Sequence, residues 1–390
     1  MYPRLTGSML CCMLVAFALS ACITIQLGGS DPTAAPEPEK ATALVSQVQP
    51  EPTAAPPVAT QEPAPAATQA PPPTEQPTEA PPAGPQPAAP YITAGQIGRL
   101  SALHWVGHER EVRDVDFAPN GSIFASGAAD MVVSIWNPNT GNRNFALTGS
   151  GGQITGIAFA PDSRQVAATI PTGTVIWDAV AGQRVRALGG HSAEVYDVAW
   201  SPDGARLVTA SADTTLIVWD AAQGRQLLTL SGHFDVVNCA AWSPDGTLIA
   251  SGADNGSVIL WDADSGAQAA SLPNQGGVVR ATVFSPDGRT LAVGGERGVI
   301  VLYDVASGAE LRRLTGTEGW VRALDWSADG QWIASASGFE VLVWDANAGG
   351  VMARLQGHTD TVRDVAFSPN APILVSAADD ALVIIWAAGP

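Results

Sequence analysis

Lysine is nearly absent. Lys40 is the only one in 390 residues, so arginine supplies almost all the positive charge, and 37 acidic residues outnumber the 19 lysines and arginines. The formal net charge of −18 excludes a broad basic face, and with it non-specific binding of nucleic acid or anionic lipid. Cysteine is scarce too: Cys11, Cys12 and Cys22 lie at the N-terminus, and Cys239 stands alone in the rest. No disulfide is possible within 91–390, and Cys239 reads as a small buried apolar residue. No apolar run reaches the ~20 residues of a membrane-crossing helix. The five histidines lack metal-ligand spacing, and there is no nucleophile elbow. Gly149–Gly152 lacks the strand–loop–helix setting of a phosphate loop. The chain therefore reads as no enzyme, with no metal and no cofactor.

The N-terminus reads as an address. Met9–Leu19 is an apolar run too short to span a bilayer, and Arg4 precedes it as a thin positive region, as in a secretory signal peptide. The run ends in Leu19-Ser20-Ala21-Cys22, which resembles the bacterial lipobox. That resemblance implies cleavage after Ala21 (signal 1–21) and a lipid on Cys22, the new N-terminus. The alternative is an ordinary signal peptide cut at Ala21 with Cys22 unmodified. Two or three acyl chains would anchor the protein stably, where one alone is reversible. Residues 31–90 are dominated by Pro, Ala, Thr, Glu and Gln without aromatics. Such a segment cannot bury a core, so 22–97 reads as a lipid-anchored, disordered linker. The expected location is outside a bacterial membrane.

From residue 98 onward the sequence is periodic. Trp136, Trp177, Trp219, Trp261, Tyr303, Trp344 and Trp386 recur every 41–42 residues. A second register, Phe117, Phe159, Trp200, Trp242, Phe284, Trp326 and Phe367, opens turns such as Trp200-Ser-Pro-Asp-Gly204. Alternating β-branched runs between these turns amount to about four strands per repeat. The run Asp262–Gly266 looks like a calcium loop, but it occupies the same hairpin as Asp220–Gly224 and Asp304–Gly308. Gly-His, Phe/Trp-Ser-Pro-Asp-Gly and Trp-Asp in this order resemble the WD-repeat proteins. The resemblance covers 98–390 and implies an all-β fold, a seven-bladed β-propeller of four-stranded blades. Only four residues follow Trp386, so the last blade lacks its outer strand. Leu100–Val106 stands before Gly107-His108 as Gln226–Ser231 stands before Gly232-His233. It is expected to close the ring.

The family resemblance also implies a buried His, Ser/Thr, Asp, Trp network. Mapped onto this chain it gives His108, Ser126, Asp130 and Trp136 in blade 1. Blade 3 has His191, Thr209, Asp213 and Trp219, and blade 7 has His358, Ser376, Asp380 and Trp386. Blade 4 has His233, Ser251 and Trp261, with Asn255 at the Asp position. Blades 2, 5 and 6 carry Ser150, Gln275 and Thr317 in place of the His, and of these three only blade 6 keeps the hydroxyl, at Ser335. His and Asp are lost together, as expected if an unpartnered buried polar group is costly.

One further position stands out. Four residues before each Phe/Trp of the second register lie Arg113, Thr155, Tyr196, Asn238, Arg280, Arg322 and Arg363. In WD-type propellers this position lies near the mouth of the central channel. The arginines fall in blades 1, 5, 6 and 7, contiguous around a closed ring, with Tyr196, Trp320 and Phe234 near them. Either they form a working surface or Glu111, Glu318 and Asp360 neutralise them. The expected function is a monomeric, non-enzymatic scaffold that binds a protein or acidic peptide. Alternatives are a small-molecule or anion site, or an enzyme, at the arginine-rimmed mouth, and a role in envelope assembly. The lipobox reading predicts that Cys22→Ser abolishes detergent partitioning and the acyl mass on the processed protein, checked by phase separation and mass spectrometry. Unchanged membrane attachment would refute it.

Overall fold

The computed structural model describes residues 92–273 and 276–388. The signal segment, Cys22, the Pro-rich stretch and Gln275 lie outside the described residues. The described part is a seven-bladed β-propeller, each blade a four-stranded antiparallel sheet. Blade 3 shows the plan: Val195–Trp200 innermost, then Arg206–Ser211, Thr215–Asp220 and Gln226–Ser231 outermost. The middle strands are almost continuously buried, because both faces pack on neighbouring blades. The outer strand alternates instead, with one side in water.

Turn chemistry sets the repeat. In blade 3 the Ser201 hydroxyl donates to Asp203 Oδ1, which also accepts from the Ala205 amide. Gly204 then takes φ +69°, a left-handed conformation that a side chain disfavours. The glycine before each network histidine has a different use. A Cβ on Gly190, Gly232 or Gly357 would lie 2.8–3.0 Å from the indole of Trp219, Trp261 or Trp386. Only glycine lets the chain cross that close to the ring.

The core lies in the seams between blades. Ala160 and Ile176 of blade 2 pack with Val198, Trp200, Leu207, Ile217 and Trp219 of blade 3, and comparable clusters fill the other seams. Closure follows the strand count: Leu100–Gly107 pairs antiparallel with Leu382–Ala388 and completes the sheet of blade 7. The packed region also takes in residues that composition assigns to the linker. Ala94–Ile97 form one helical turn, Ile92 and Ile97 are buried against blades 6 and 7, and the Trp332 indole donates to the Ile92 carbonyl at 2.8 Å. Composition misses this because two isoleucines do not make a pattern.

A chain starting at Tyr91 is expected to melt at the same temperature as one starting at Ile23. Starting at His108 removes the closing strand together with Ile92, Ile97 and Val106, side chains worth roughly 1.5–3 kcal/mol each when buried. The midpoint should fall by about 10 °C or more and the transition broaden. Equal midpoints by differential scanning calorimetry would show that closure contributes nothing.

Candidate binding face

Every innermost strand except that of blade 2 is bulged after its first residue. The register shifts between Val112 and Asp114, Val195 and Asp197, Val237 and Cys239, Val279 and Ala281, Val321 and Ala323, and Val362 and Asp364. The skipped residues are Arg113, Tyr196, Asn238, Arg280, Arg322 and Arg363. A bulge leaves one residue out of the ladder and re-aims its side chain. Here all six, with Thr155 of blade 2, line one cavity of 220 Å³ at the ring axis. The repeated bulge thus converts one position in the sequence into a rosette.

The four arginines are not equivalent. Arg363 makes a two-pronged ion pair with Asp379, at 2.7 and 2.6 Å. Arg280 donates to Asn238 Oδ1 at 2.7 Å and lies 3.7 Å from Asp254. Arg113 and Arg322 meet no carboxylate among the described residues, and the buried Nε of Arg113 has no hydrogen-bond partner. The Trp320 ring lies 5.8 Å from the Arg280 guanidinium and 5.1 Å from that of Arg322, within cation–π range of both. Burial first, then the charges of Arg363 and Arg280, lower the Arg322 pKa. Tyr196 donates to Glu194 at 3.1 Å. The carboxylates that meet the arc are therefore Asp379 and Asp254, not Glu111, Glu318 and Asp360. Glu111 lies 3.7 Å from Arg110, and Asp360 accepts from the Thr361 amide. Spacing along the chain could not find Asp379, in the turn after the second strand of Arg363's own blade, or Asp254, in the same turn of the blade before Arg280. Phe234 is nearly fully exposed on a loop between blades 3 and 4.

Beneath the arginines lies a ring of buried carboxyl groups that the repeat marker passes over. Asp114 accepts from the Ile157 amide at 2.7 Å, Asp116 from Phe159 at 2.6 Å, Asp197 from Ala240 at 2.8 Å, Asp325 from Phe367 at 2.7 Å and Asp364 from Val115 at 2.8 Å. Each bond runs from one blade's innermost strand to the next. Burial pushes Asp116 up to about 8 and Asp197 and Asp325 up to about 7. Burial, and then the neighbouring Asp364, hold Asp114 well above the ordinary carboxylate range. The signal was present in the sequence: Asp114, Asp197 and Asp364 each directly follow a rosette residue.

The hydrogen-bond chains within the blades are closed. Trp136 donates to Ser126 at 2.7 Å, and His108 lies 2.7 Å from Ser126 and 2.9 Å from Asp130. Blade 3 repeats this through Trp219, Thr209, His191 and Asp213 at 2.9, 2.8 and 2.9 Å. Blade 7 repeats it through Trp386, Ser376, His358 and Asp380 at 2.8, 2.8 and 3.0 Å. Every group is satisfied if the indole donates to the hydroxyl, the hydroxyl to Nε2, and Nδ1–H to the carboxylate. That assignment needs a neutral imidazole, and burial lowers the pKa of His108 and His358. Burial acts to raise Asp213, but the Thr215 hydroxyl, the Ser192 amide and His191 hold it at about 2.

Blade 4 departs from the expected arrangement. His233 meets Ser257 at 2.8 Å, and Ser257 in turn donates to Asn255, so a hydroxyl stands between the histidine and the residue at the Asp position. Ser251 and Trp261 keep their places, at 2.7 Å from His233 and 2.8 Å from each other. With no carboxylate on its ring, His233 falls to about 4 through burial. Blade 6 keeps the Trp344–Ser335 bond at 2.8 Å without a histidine. In blade 2 Ser150 donates to backbone carbonyls of Met131 and Gly152.

The described residues form a seven-bladed propeller of four-stranded blades. A model of the IFT122 first beta-propeller matches residues 153–337, and the WD domain, G-beta repeat, matches 100–137 and 349–387. The chain therefore carries WD40 repeats. It is similar to Protein Atg16l2 of Mus musculus, 41% identical over 18% of this chain and 12% of that protein. It is also similar to pre-mRNA-splicing factor cwf17 of Schizosaccharomyces pombe, 39% identical over 20% of this chain and 24% of that protein. Small ribosomal subunit protein RACK1 of Caenorhabditis elegans is 32% identical over the same shares, 20% and 24%. These matches span a quarter or less of each relative.

The carboxyl ring gives stability a definite pH dependence. The folded-state pKa values of Asp116, Asp197 and Asp325, about 7 to 8, lie above the unfolded value, so the folded protein binds more protons than the unfolded chain. That contribution is full below pH ~4 and is lost as pH rises through 7 to 8. The histidines with lowered pKa act in the opposite direction, but only below their unfolded value of about 6.5. The melting temperature is expected to fall between pH 6.5 and 8.5. Asp197→Asn, which keeps an acceptor oxygen, should flatten the slope. A midpoint that rises over this range would contradict the assignment.

Proposed function

We propose that this protein is a non-enzymatic scaffold that binds an acidic segment of a partner protein across the channel mouth. The observation that carries the reading is the rosette. Four arginines occupy one repeat position in four contiguous blades and converge on one cavity, and Arg113 and Arg322 carry no ion-pair partner among the described residues. The fold does not require arginine there, since Thr155, Tyr196 and Asn238 hold the same position in blades 2 to 4. Guanidinium groups favour carboxylates through paired hydrogen bonds as well as charge. Burial raises the carboxyl groups beneath, Asp116 to about 8 and Asp197 and Asp325 to about 7, so they cancel less of that charge than exposed carboxylates would. The WD40 matches support a protein partner over a small molecule, because propellers of this kind present broad rigid surfaces. Display outside a bacterial membrane through a lipid on Cys22 belongs to the same proposal and rests on Leu19-Ser20-Ala21-Cys22.

The test is the double variant Arg113→Gln/Arg322→Gln, which leaves both ion pairs of the arc intact. An octaglutamate peptide should bind the wild type and lose roughly tenfold in affinity in the variant. Wild-type binding should weaken with salt. Binding that is unchanged in the variant, or absent from the wild type, would move the working surface elsewhere.

A further inference from the structure

The opposite face of the propeller carries a groove with a copy of itself elsewhere in the ring. The turns after the first and third strands of each blade lie on this face, away from the channel mouth. Between blades 3 and 4 the groove measures 430 Å³ and is bounded by Pro202, Asp203, Asp245 and Asp264. Arg206 of blade 3 occupies it. Its guanidinium lies 4.9 Å from the ring of Trp242 and donates to the Ala263 carbonyl at 2.8 Å and to Asp264 at 3.0 Å.

Between blades 5 and 6 the same repeat positions bound a larger space of 660 Å³. Trp326 stands where Trp242 stands, Ala346 where Ala263 stands, and Asn347 where Asp264 stands. The residue at the Arg206 position is Thr290. The aromatic wall, the carbonyl and the polar acceptor are present, and the side chain that would use them is missing.

Blade 5 has Ala281 and Val283 where blades 1, 3, 6 and 7 carry the inter-blade aspartates, so no buried carboxyl group links it to blade 6. The Trp326 indole is buried without an acceptor, whereas Trp200 and Trp242 donate to Ala158 and Ala199 of the preceding blade.

We propose that the groove between blades 5 and 6 is a docking site for an arginine side chain presented by a partner protein. The guanidinium would stack on Trp326, donate to the Ala346 carbonyl and Asn347, and lie beside Asp287 and Asp329. Charge in the groove favours it. Asp287 and Asp329 are both acidic, and Asp287 is held low by the Ser285 hydroxyl and the Arg289 amide. Of the bases near it, Arg312 is tied to the Ala348 carbonyl at 3.0 Å and Arg289 acts on Asp287, whose pKa its charge helps to lower. Lysine fits less well, since an ammonium neither stacks flat on an indole nor donates in two directions in one plane. The site is independent of the channel-mouth reading and uses none of its residues.

The test uses the intact chain labelled with 5-fluorotryptophan, with the Trp326 signal assigned by Trp326→Phe and that of Trp242 by Trp242→Phe. N-acetyl-arginine methylamide is titrated and followed by fluorine NMR, with the lysine counterpart in parallel. The Trp326 signal should shift saturably, with the lysine compound roughly tenfold weaker. Thr290→Arg should fill the groove from within and abolish the response. Arg206→Thr should open the other groove and add a response at Trp242. Silence at Trp326 in the wild type, an equal response to lysine, or a response that survives Thr290→Arg in a variant with native circular dichroism would each overturn the proposal.

Discussion

The bond on which the ring depends is the one that links one blade to the next at the axis. Strands of adjacent blades do not pair, so the innermost backbone amides facing the next blade have no sheet partner. A buried amide left that way costs about 1–3 kcal/mol. Asp114, Asp116, Asp197, Asp325 and Asp364 accept those amides across the seams. In two of the three seams where the carboxyl is missing, other groups span the gap to the neighbouring backbone. The Thr155 hydroxyl donates to the Val195 carbonyl at 2.6 Å, and the Asn238 amide donates to the Val279 carbonyl at 2.9 Å. Burying acids in this way raises their pKa, and the protonated form is the one that can sit near others of its kind.

That arrangement shapes the channel mouth. If the ring were fully ionised, it would neutralise the arginines one layer above. Because burial raises the pKa of its members, the ring is only partly ionised near neutral pH, and more of the positive charge of Arg113 and Arg322 remains available. The bulge ties the two layers together, since it places an arginine and the aspartate after it on the same cavity in blades 1 and 7. The electrostatic character of the mouth follows from a local irregularity in strand pairing, repeated around the axis.

The seven-fold period, the closing strand and the network residues of blades 1, 3 and 7 were legible in the sequence, because each rests on repetition or on a count. What was not legible depends on geometry that repetition does not encode. Asp379 and Asp254 meet Arg363 and Arg280 from the turn after the second strand of the same and of the preceding blade, so spacing along the chain pointed to the wrong carboxylates. Ser257 enters the blade 4 network two residues beyond the aligned position, because its hydroxyl reaches the imidazole where the alignment put Asn255. Ile92 and Ile97 carry no period, and only the indole of Trp332 and the seam of blades 6 and 7 give them a place. The groove at Thr290 needed both: the repeat to define the position, and the structure to show what Arg206 does there.

The two faces then differ in kind. The channel mouth gathers Arg113 and Arg322, which meet no carboxylate among the described residues, and on the proposed reading it takes carboxylates. The groove between blades 5 and 6 gathers an indole, a carbonyl and two carboxylates and is suited to a guanidinium. A partner with separated acidic and basic segments could engage both faces only by passing around the rim, where the outer strands of blades 5 and 6 are largely exposed. The exposed members there include Leu311 and Met352 on the outer strands of blades 5 and 6, the blades that also contribute Arg280, Arg322 and Thr290. The rim between the two sites is therefore partly apolar on the same side of the ring where both sites lie. A single chain wrapping that edge would gain from each contact without paying twice for immobilisation, which is the condition under which two weak sites bind tightly together.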